Sequence, residues 1–405
     1  MHVLHINQSD ILGGAAIAGY RLHQGLLEQG VDSKLLVGSV KLKDERIAAV
    51  PRKPRAENLL HRVTWHSGLN YINLFSSFNL PNHKFYQDAD ILNFHNLHSG
   101  YFNYLAISKL TKEKPAVFTL HDMWSFTGHC AYSYDCDRWK MGCGNCPYPD
   151  TYPEISRDIT RLEWKLKNWV YGRSNLTIIT LSHWLTAQAK ASMLRRFPIH
   201  HIPNGIDTKA YQPLDRLLCK AALDIPRDKK VLLFGAASLK DERKGGDLLV
   251  KTLQQLPQSL KTKTMLLTFG DGSEAIAAGT GMQTINVGYI SSDRLKSIAY
   301  SAADLLVFPT RADNLPLVLQ ESMACGTPMV SFDVGGVPDL VRPMVTGYLA
   351  KPEDARDCCN GIVTLLGDEQ LRQTMSLNCR AVALAEYSIE LQAKRYMELY
   401  KQILP

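Results

Sequence analysis

The chain has 405 residues, of which 45% are hydrophobic and 21% charged, and its formal net charge is +7 at pH 7. This balance excludes an intrinsically disordered chain, and the length favours two domains of roughly 200 residues each. Every apolar run is shorter than the roughly 20 residues needed to cross a bilayer. The N-terminus lacks the basic-then-apolar layout of a signal peptide, so we expect a cytoplasmic protein.

The first half of the chain alternates short apolar runs with longer amphipathic stretches, which is typical of strand–helix units around a parallel sheet. The runs are rich in β-branched residues and leucine and almost free of charge, which indicates strands covered by helices on both faces. The predicted strands are Val3–Asn7, Lys34–Val40, Ile91–His95, Ala116–His121, Thr177–Ser182 and His200–Pro203. A helical pattern from Ile17 to Glu28 follows the first strand.

A second series of strands begins near Lys230, after a turn-rich and charged linker at Asn204–Pro226. The predicted strands are Val231–Gly235, Met265–Gly270, Thr284–Gly288, Leu305–Pro309, Pro328–Phe332 and Tyr348–Ala350. The predicted helices are Gly246–Leu256, Asp293–Ala299, Leu315–Ala324 and the last segment, Ile389–Ile403.

These elements predict an α/β protein with two Rossmann-like domains whose parallel sheets face each other across a cleft. The first domain spans 1–207 and the second 213–387, and we expect the helix at 388–405 to pack back on the first domain. The crevice between two such domains is the default position for a ligand.

The first predicted strand leads into a turn that carries Gly13 and Gly14. Two glycines at a strand-to-helix turn let a phosphate approach the backbone closely, with N–H groups and the helix dipole facing the anion. An ordinary tight turn is the alternative. The spacing is not G-x-G-x-x-G, so a dinucleotide site is disfavoured.

Charged and polar groups also follow strands in both halves of the chain. His121 closes a strand of the first domain, at the edge where open α/β sheets bind ligands. In the second domain Arg243 and Lys244 open a helix and suit a diphosphate, one as a planar fork and the other as a point charge. A structural histidine and a solvated charge cluster are the alternatives.

Further strand ends of the second domain could form a nucleotide pocket. Gly270 and the pair Gly288–Tyr289 lie at strand-end turns that could form its floor. The clearest single signal is Asp313, which precedes a predicted helix, with Glu321 about two helical turns further along. Two such carboxylates can bind separate hydroxyl-rich parts of one ligand, while the free N–H groups of Asn314 and Leu315 face an anion.

The run from Phe308 to Pro328 resembles the acidic-x7-acidic signature of retaining glycosyltransferases of family 4, which have the GT-B fold. Other segments resemble motifs of this family, in the family's order and over nearly the whole chain: Gly13–Gly14, His121, Ile202–Asp207, Lys244–Gly245, Gly270–Gly272 and Asp333–Asp339. The stretch His121–Cys130 is similar to a subgroup that builds bacterial exopolysaccharides such as colanic acid.

The resemblance implies a role for each matched residue. Glu321 would accept hydrogen bonds from the donor ribose, and Asp313 would hold hydroxyls of the transferred sugar. Lys244 would neutralise the leaving diphosphate, and His121 would contact the sugar near the reacting carbon.

The resemblance also implies a backbone cradle for the diphosphate, made by N–H groups at Asn314 and Leu315 together with Gly13 and Gly14. The sequence departs from the family at two positions. The first acidic residue is Asp313 where the family usually has Glu. The family's usual Arg is missing from the Ala236–Leu239 stretch, so Arg243 is assigned to donor binding in its place.

The implied reaction moves a hexose from a nucleoside diphosphate to an acceptor hydroxyl, with retention at the anomeric carbon and without a cofactor. UDP-sugar is the preferred donor and GDP-sugar the second choice. The expected acceptor is lipid-linked or an oligosaccharide, in exopolysaccharide biosynthesis. A GT-B sugar-nucleotide epimerase and a non-catalytic nucleotide-sugar-binding protein are the alternatives.

Four of the nine cysteines lie close together in the sequence: Cys130, Cys136, Cys143 and Cys146. Neighbouring glycines let the backbone fold around an ion, and four thiolates can close a structural zinc site. Reduced, buried cysteines are the alternative. A disulfide is disfavoured by the expected cytoplasmic location.

Basic and aromatic residues are mixed in Ile155–Arg173, and Leu194–Phe197 and Arg52–Arg55 add to the pattern. Such helices suit shallow adsorption to an anionic membrane, which would place the chain at the inner face of the cytoplasmic membrane. A solvated helix face is the alternative. A nucleic-acid partner is not expected, because that would need a stronger basic stripe with stacking motifs.

Overall fold

The computed structural model describes residues 1–238 and 241–404. It divides into two compact units, one made of Met1–Gly205 with Glu390–Pro405 and the other of Ile206–Ile389. Leu239, the last residue of the stretch where the family's Arg was sought, lies outside the described residues, as does Pro405.

The first unit is a parallel sheet flanked by helices. Its strands are β1 (His2–Ser9), β2 (Asp32–Ser39), β3 (Ile47–Ala49), β4 (Ile91–Phe94), β5 (Ala116–Leu120), β6 (Leu176–Thr180) and β7 (Ile199–His201). Its helices are α1 (Gly14–Glu28), α2 (Pro54–His66), α3 (Lys84–Asp88), α4 (Ile107–Leu110), α5 (Thr160–Tyr171) and α6 (His183–Ala191). Short 3-10 helices lie at Phe75–Asn82, Tyr104–Ala106, Trp124–Phe126, Arg138–Lys140 and Met193–Arg196.

The seven strands run in the order β3-β2-β1-β4-β5-β6-β7. Every residue of β4, β5 and β6 is buried, which is the reason that their sequences are apolar without alternation. The strand β3 is missing from the sequence prediction because a run of three residues carries no readable periodicity.

The second unit repeats this architecture. Its strands are β8 (Lys230–Ser238), β9 (Thr264–Asp271), β10 (Thr284–Asn286), β11 (Leu305–Phe308), β12 (Met329–Phe332) and β13 (Gly347–Ala350), in the order β10-β9-β8-β11-β12-β13. Its helices are α7 (Arg216–Ala222), α8 (Gly246–Gln254), α9 (Gln258–Lys261), α10 (Ser273–Thr280), α11 (Asp293–Ala302), α12 (Leu317–Ala324), α13 (Ala355–Gly367) and α14 (Glu369–Glu386). Short 3-10 helices lie at Glu242–Lys244 and Val337–Asp339.

The helix α12 begins at Leu317 and not at Leu315 as the sequence pattern suggested. Pro316 has an extended backbone with ψ 123° and stands at the N-cap, outside the first turn. Leu315 and Pro316 therefore belong to the loop that carries Asp313 and not to the helix, so this loop is longer than predicted.

The final helix, α15 (Ile389–Ile403), packs on the first unit. Asn93 on β4 donates to the Tyr400 hydroxyl at 2.9 Å, and the hydroxyls of Thr119 and Tyr396 lie 3.0 Å apart. Both tyrosine side chains are buried. No helix in the described part of the chain combines the length and the apolar character required to cross a membrane.

Candidate active site

The second unit holds a partly buried charged cluster centred on Asp313, in the loop between β11 and α12. Its Oδ2 accepts hydrogen bonds from Lys244 Nζ at 2.6 Å and from Arg243 Nη1 at 3.2 Å. Burial alone would raise the pKa of the Asp313 carboxyl, but the charges of Lys244 and Arg243 outweigh it and hold the pKa below its usual value. Three residues singled out from the sequence thus share one hydrogen-bond network.

Hydrogen bonds within the protein orient the two cations of this cluster. Arg243 donates to the Ala312 carbonyl oxygen at 2.9 Å and, through Nη2, to Asp241 Oδ2 at 3.1 Å. Burial lowers the pKa of Lys244, although the Asp313 carboxylate opposes this. A ligand phosphate would meet donors that are already oriented, which lowers the ordering cost of binding.

Glycines bring the loops of this cluster together. Gly245 follows Lys244 with φ +73°, and a Cβ there would lie 1.8 Å from the Pro309 carbonyl oxygen. Gly335 has φ +54°, and a Cβ there would lie 2.0 Å from the Asp313 carbonyl oxygen. The next residue, Gly336, donates its N–H to that same oxygen at 3.0 Å. These glycines therefore let neighbouring backbones approach closely enough to place Lys244 and Asp313.

Glu321 lies on α12 with a buried side chain. Its Oε2 accepts a hydrogen bond from the Tyr300 hydroxyl at 3.0 Å, and its Oε1 lies 4.0 Å from Lys296 Nζ. Both partners belong to α11, so this helix sets the position of the carboxylate. Tyr300 and Lys296 were not found from the sequence, because nothing in it indicates which helix packs beside α12.

The remaining second-unit residues take different positions. Asn314 and Leu315 are buried, and the Asn314 N–H donates to Asp313 Oδ1 at 3.1 Å, so an anion would have to share it. Gly270 donates its N–H to the Gly288 carbonyl oxygen at 2.8 Å, which joins two strand-end turns. The Tyr289 side chain is 57% exposed.

In the first unit, Gly13 stands at the N-cap of α1 with φ 90°, and Gly14 is the first helical residue. Within the described chain no side chain caps this helix, and its first turn contains no acidic residue. The helix N-terminus is therefore compatible with an anion. Asp10, in the same loop, accepts hydrogen bonds from the N–H groups of Lys41 and Leu42, both at 2.7 Å, and so ties the loop to the end of β2.

His121 immediately follows β5 and lines a small pocket with His95, His98, Asp122 and Trp124. Burial lowers the pKa of His121 to about 4. His98 Nε2 lies 2.9 Å from Asp122 Oδ2. His95 and His98 were overlooked in the sequence, although His95 immediately follows β4, which pairs with β5.

The four clustered cysteines are free thiols in the loop after His121. Burial raises the pKa of Cys130 to about 12, and its three partners Cys143, Cys146 and Cys136 add to the rise because they lie nearby. Cys143 Sγ accepts the Gly128 N–H at 3.2 Å, and Cys146 Sγ lies 3.1 Å from His129 Nε2.

Comparison with known proteins identifies the class of this chain. Residues 12–210 match Glycosyltransferase Family 4 and residues 217–382 match glycosyl transferases group 1. A relative from Escherichia coli strain K12, named as the colanic acid biosynthesis glycosyl transferase WcaC, is 29% identical over 82% of this chain and 83% of its own length.

Solved structures share the fold over the whole chain. Sucrose-phosphate synthase from Thermosynechococcus elongatus superposes with a TM-score of 0.72 at 20% identity, covering 99% of each chain. HepE from Anabaena, in complex with UDP and glucose, gives 0.71 at 17% identity, covering 99% of this chain and 100% of its own. Two α/β units, each built on a parallel sheet, define the GT-B class. The chain belongs to the family 4 glycosyltransferases, which confirms the fold and family predicted from the sequence.

Proposed function

We propose that this glycosyltransferase moves a hexose, with retention of configuration, from a nucleoside diphosphate sugar to a hydroxyl of a lipid-linked or oligosaccharide acceptor in exopolysaccharide biosynthesis. The observation that carries the proposal is the network in which Arg243 and Lys244 meet the Asp313 carboxylate. UDP-sugar is the first choice of donor, because HepE is seen with UDP and glucose. The name of the E. coli relative supports the pathway.

Each group of the second unit has a task in this proposal. Lys244 and Arg243 stabilise the negative charge of the departing diphosphate, as preoriented donors do in a transition state. Asp313 holds sugar hydroxyls, and Glu321 accepts from the ribose. In the first unit, His121 contacts the sugar. No metal ion is needed for this chemistry if the two cations neutralise the diphosphate.

The test is ligand-induced thermal stabilisation by UDP, GDP, ADP and their sugars, with each variant compared to its own ligand-free melting temperature. We expect stabilisation by UDP and UDP-sugars that Glu321→Ala and Glu321→Gln abolish. Glu321→Gln keeps the side-chain volume and an oxygen for the Tyr300 hydroxyl. Glu369→Ala, on the exposed start of α14, is the control and should respond as the wild type.

Incubation of the donor with and without a polyprenyl-linked acceptor then separates the reaction classes. Transfer only when acceptor is present supports the proposal, and an epimerised donor without acceptor contradicts it. The lack of any nucleotide-induced shift in the folded protein would refute the donor site itself.

We also propose that the first unit works at an anionic membrane surface, where a lipid-linked acceptor would reside. On α2, Glu57 and Thr64 face the core, whereas Leu59 is 68% and Val63 65% exposed. The exposed Arg62 lies beside them. Exposed apolar residues among cations are the pattern of a helix that adsorbs to anionic lipid.

The helix α5 contributes in part to this surface. Its Trp169 is 50% exposed, and Cζ of the Arg173 guanidinium lies 4.4 Å from the centroid of the Trp169 ring. Lys167 does not belong to the surface, because it is buried and donates to the carbonyl oxygens of Trp124 and Thr127 at 2.6 and 3.0 Å. Its charge instead holds the loop that follows β5.

Vesicle flotation tests the membrane proposal. The protein should float with phosphatidylglycerol vesicles and not with phosphatidylcholine vesicles, and Leu59→Asp with Val63→Asp should abolish binding. Leu377→Asp replaces a leucine that is 75% exposed on the second unit and should bind as the wild type does. Equal flotation of all variants would contradict the assignment to α2.

We propose a structural zinc ion for the four-cysteine loop. Cys143 Sγ accepts a hydrogen bond from the Gly128 N–H, and hydrogen bonds of this kind orient metal ligands. Among the described residues, no three of the four sulfur atoms lie within 4.8 Å of one another, so coordination would tighten the loop. Elemental analysis should find one zinc ion per chain. The zinc should be lost in Cys143→Ser and kept in the control variant Cys219→Ser. Protein that contains no zinc after expression in zinc-supplemented cells would contradict the proposal.

A further inference from the structure

A buried histidine, His129, stands at the start of the four-cysteine loop and was not predicted as a metal ligand from the sequence. It directly precedes Cys130 in the chain. Its Nδ1 atom lies 2.8 Å from the Pro153 carbonyl oxygen, and its Nε2 atom lies 3.1 Å from Cys146 Sγ. Each ring nitrogen of His129 therefore faces a defined partner.

The contact with the carbonyl group determines which nitrogen carries the proton. A carbonyl oxygen can only accept, so Nδ1 of His129 donates its N–H to Pro153. In a neutral imidazole the other nitrogen is then bare, and its lone pair faces Cys146 Sγ. Metal-binding histidines usually donate their other ring N–H to a carbonyl or carboxylate oxygen, because that bond fixes the tautomer and orients the ring.

The distance between this nitrogen and the sulfur fits two ligands of one ion. In a tetrahedral zinc site with Zn–S of about 2.3 Å and Zn–N of about 2.0 Å, the sulfur and the nitrogen are roughly 3.5 Å apart. Cys146 Sγ and His129 Nε2 are 3.1 Å apart, so a shift of about 0.4 Å brings them to ligand distance. The Cys146 thiol donates its proton to the bare nitrogen, and zinc takes the place of that proton when it binds the thiolate.

A zinc site made of four thiolates does not account for this contact. The Cys146 sulfur would carry no proton, and a bare nitrogen would face it with no hydrogen between the two atoms. Two acceptors at this distance repel each other unless both bind the same cation. Coordination by His129 removes the conflict, because the nitrogen and the sulfur then both direct a lone pair at the zinc ion.

The backbone between Cys143 and Cys146 is held in one conformation. Residues 142–145 all have positive φ, including the non-glycine residues Cys143 and Asn145, each at 51°. Such conformations are unfavourable for L-residues and persist where the surroundings impose them. The Cys146 N–H donates to Asp158 Oδ2 at 2.7 Å, which anchors this turn just before α5. The turn therefore presents the C-x2-C pair from a fixed backbone.

We propose that His129 Nε2 is a zinc ligand, together with the thiolates of Cys136, Cys143 and Cys146. This inference rests on the zinc ion proposed for the four-cysteine loop and states its coordination shell, which is three sulfur atoms and one nitrogen. Cys130 is the thiol left out, because it is adjacent to His129 and adjacent side chains leave the backbone in different directions.

X-ray absorption at the zinc edge of the wild-type full chain, purified from zinc-supplemented cells, measures this shell and does not depend on activity. We expect three sulfur scatterers at about 2.3 Å and one nitrogen at about 2.0 Å, with the outer-shell scattering of an imidazole ring. A shell of four sulfur atoms would overturn the inference and leave the zinc proposal intact. Protein without zinc would refute both.

Loss of the imidazole tests the same ligand by affinity. His129→Ala should weaken zinc binding by roughly a hundredfold or more in competition with a chelator, since even an outer-shell partner is worth up to that much. His23→Gln is the matched control, because it removes another buried imidazole of the first unit, whose Nδ1 contacts Ser33 Oγ at 2.8 Å. The control should bind zinc as the wild type does.

Serine substitution of the cysteines separates the two ligand sets. Cys136→Ser, Cys143→Ser and Cys146→Ser should each lose zinc, whereas Cys130→Ser should keep it with an unchanged coordination shell. Loss of zinc in Cys130→Ser together with wild-type zinc binding in His129→Ala would overturn the inference, because four thiolates would then hold the ion.

Discussion

At the scale of single residues, the Asp313 carboxylate compensates the charge of Lys244 and part of the charge of Arg243 in a largely buried position. Asp313→Asn preserves the shape and removes the charge, which leaves Lys244 without its counter-ion. We expect a loss of roughly 2 kcal/mol in the free energy of unfolding, somewhat below the usual cost of breaking a buried pair because the pair keeps some contact with solvent.

Chemical denaturation of the variants measures this loss. Asp247→Asn is the control, because Asp247 pairs with Arg311 at 2.7 Å but its side chain is 49% exposed. An exposed pair of this kind contributes about 1 kcal/mol at most. Equal losses in the two variants would show that burial adds nothing to the Asp313 pair.

Buried histidines make the stability of the first unit depend on pH. The pKa of His5 is about 3 and that of His23 about 4 in the folded state, against a usual value of 6.5. The unfolded chain therefore binds more protons below pH 6.5, so stability is full above that pH and falls as the pH drops toward 4. The loss at pH 5 is about 2 kcal/mol for each imidazole.

Denaturation at pH 7 and pH 5 tests this dependence. His23→Gln should lose less stability than the wild type over the same interval, because its side chain takes up no proton. A loss as large as that of the wild type would mean that His23 does not contribute to the acid sensitivity.

At the scale of elements, the close approach of two loops depends on Gly245. Gly245→Ala places a methyl group against the Pro309 carbonyl oxygen and also strains a left-handed backbone. Gly281→Ala is the matched control, with φ +62° and no atom within 4 Å of the added Cβ. We expect about 1 kcal/mol of destabilisation in Gly281→Ala from backbone strain alone.

Gly245→Ala should cost clearly more and should also weaken nucleotide binding, because Lys244 moves with the loop. Denaturation and ligand-induced thermal stabilisation measure the two effects separately. Similar results for both alanine variants would show that the loop yields without displacing Lys244.

At the scale of the whole molecule, the C-terminal helix completes the core of the unit in which the chain began. Tyr400→Phe removes the hydroxyl that accepts from Asn93 and leaves a buried amide N–H without that acceptor. We expect a loss of roughly 1 to 2 kcal/mol in the free energy of unfolding of the first unit. Tyr289→Phe, at an exposed tyrosine of the second unit, should be neutral in the same urea titration.

Local pattern was sufficient for much of the secondary structure. The wholly buried strands β4 to β6 and the helix α15 were predicted from the sequence, because an apolar run or a helical periodicity is contained within each segment. The strand β3 was too short to show a period, and α12 starts later than expected because Pro316 takes an extended conformation.

The sequence by itself determined the family and the two α/β halves. It also singled out Asp313, Glu321, Lys244 and His121 as site candidates, because each lies in a motif that is local in the chain. Only the tertiary structure decided which of them meet. Lys244 and Asp313 are 69 positions apart, and His5 and His95 are 90 apart. The contact between Lys244 and Asp313 depends on the close approach of two loops, and the contact between His5 and His95 depends on the strand order β1-β4-β5. Loop approach and strand order are set by tertiary packing, so no local sequence pattern predicts these contacts.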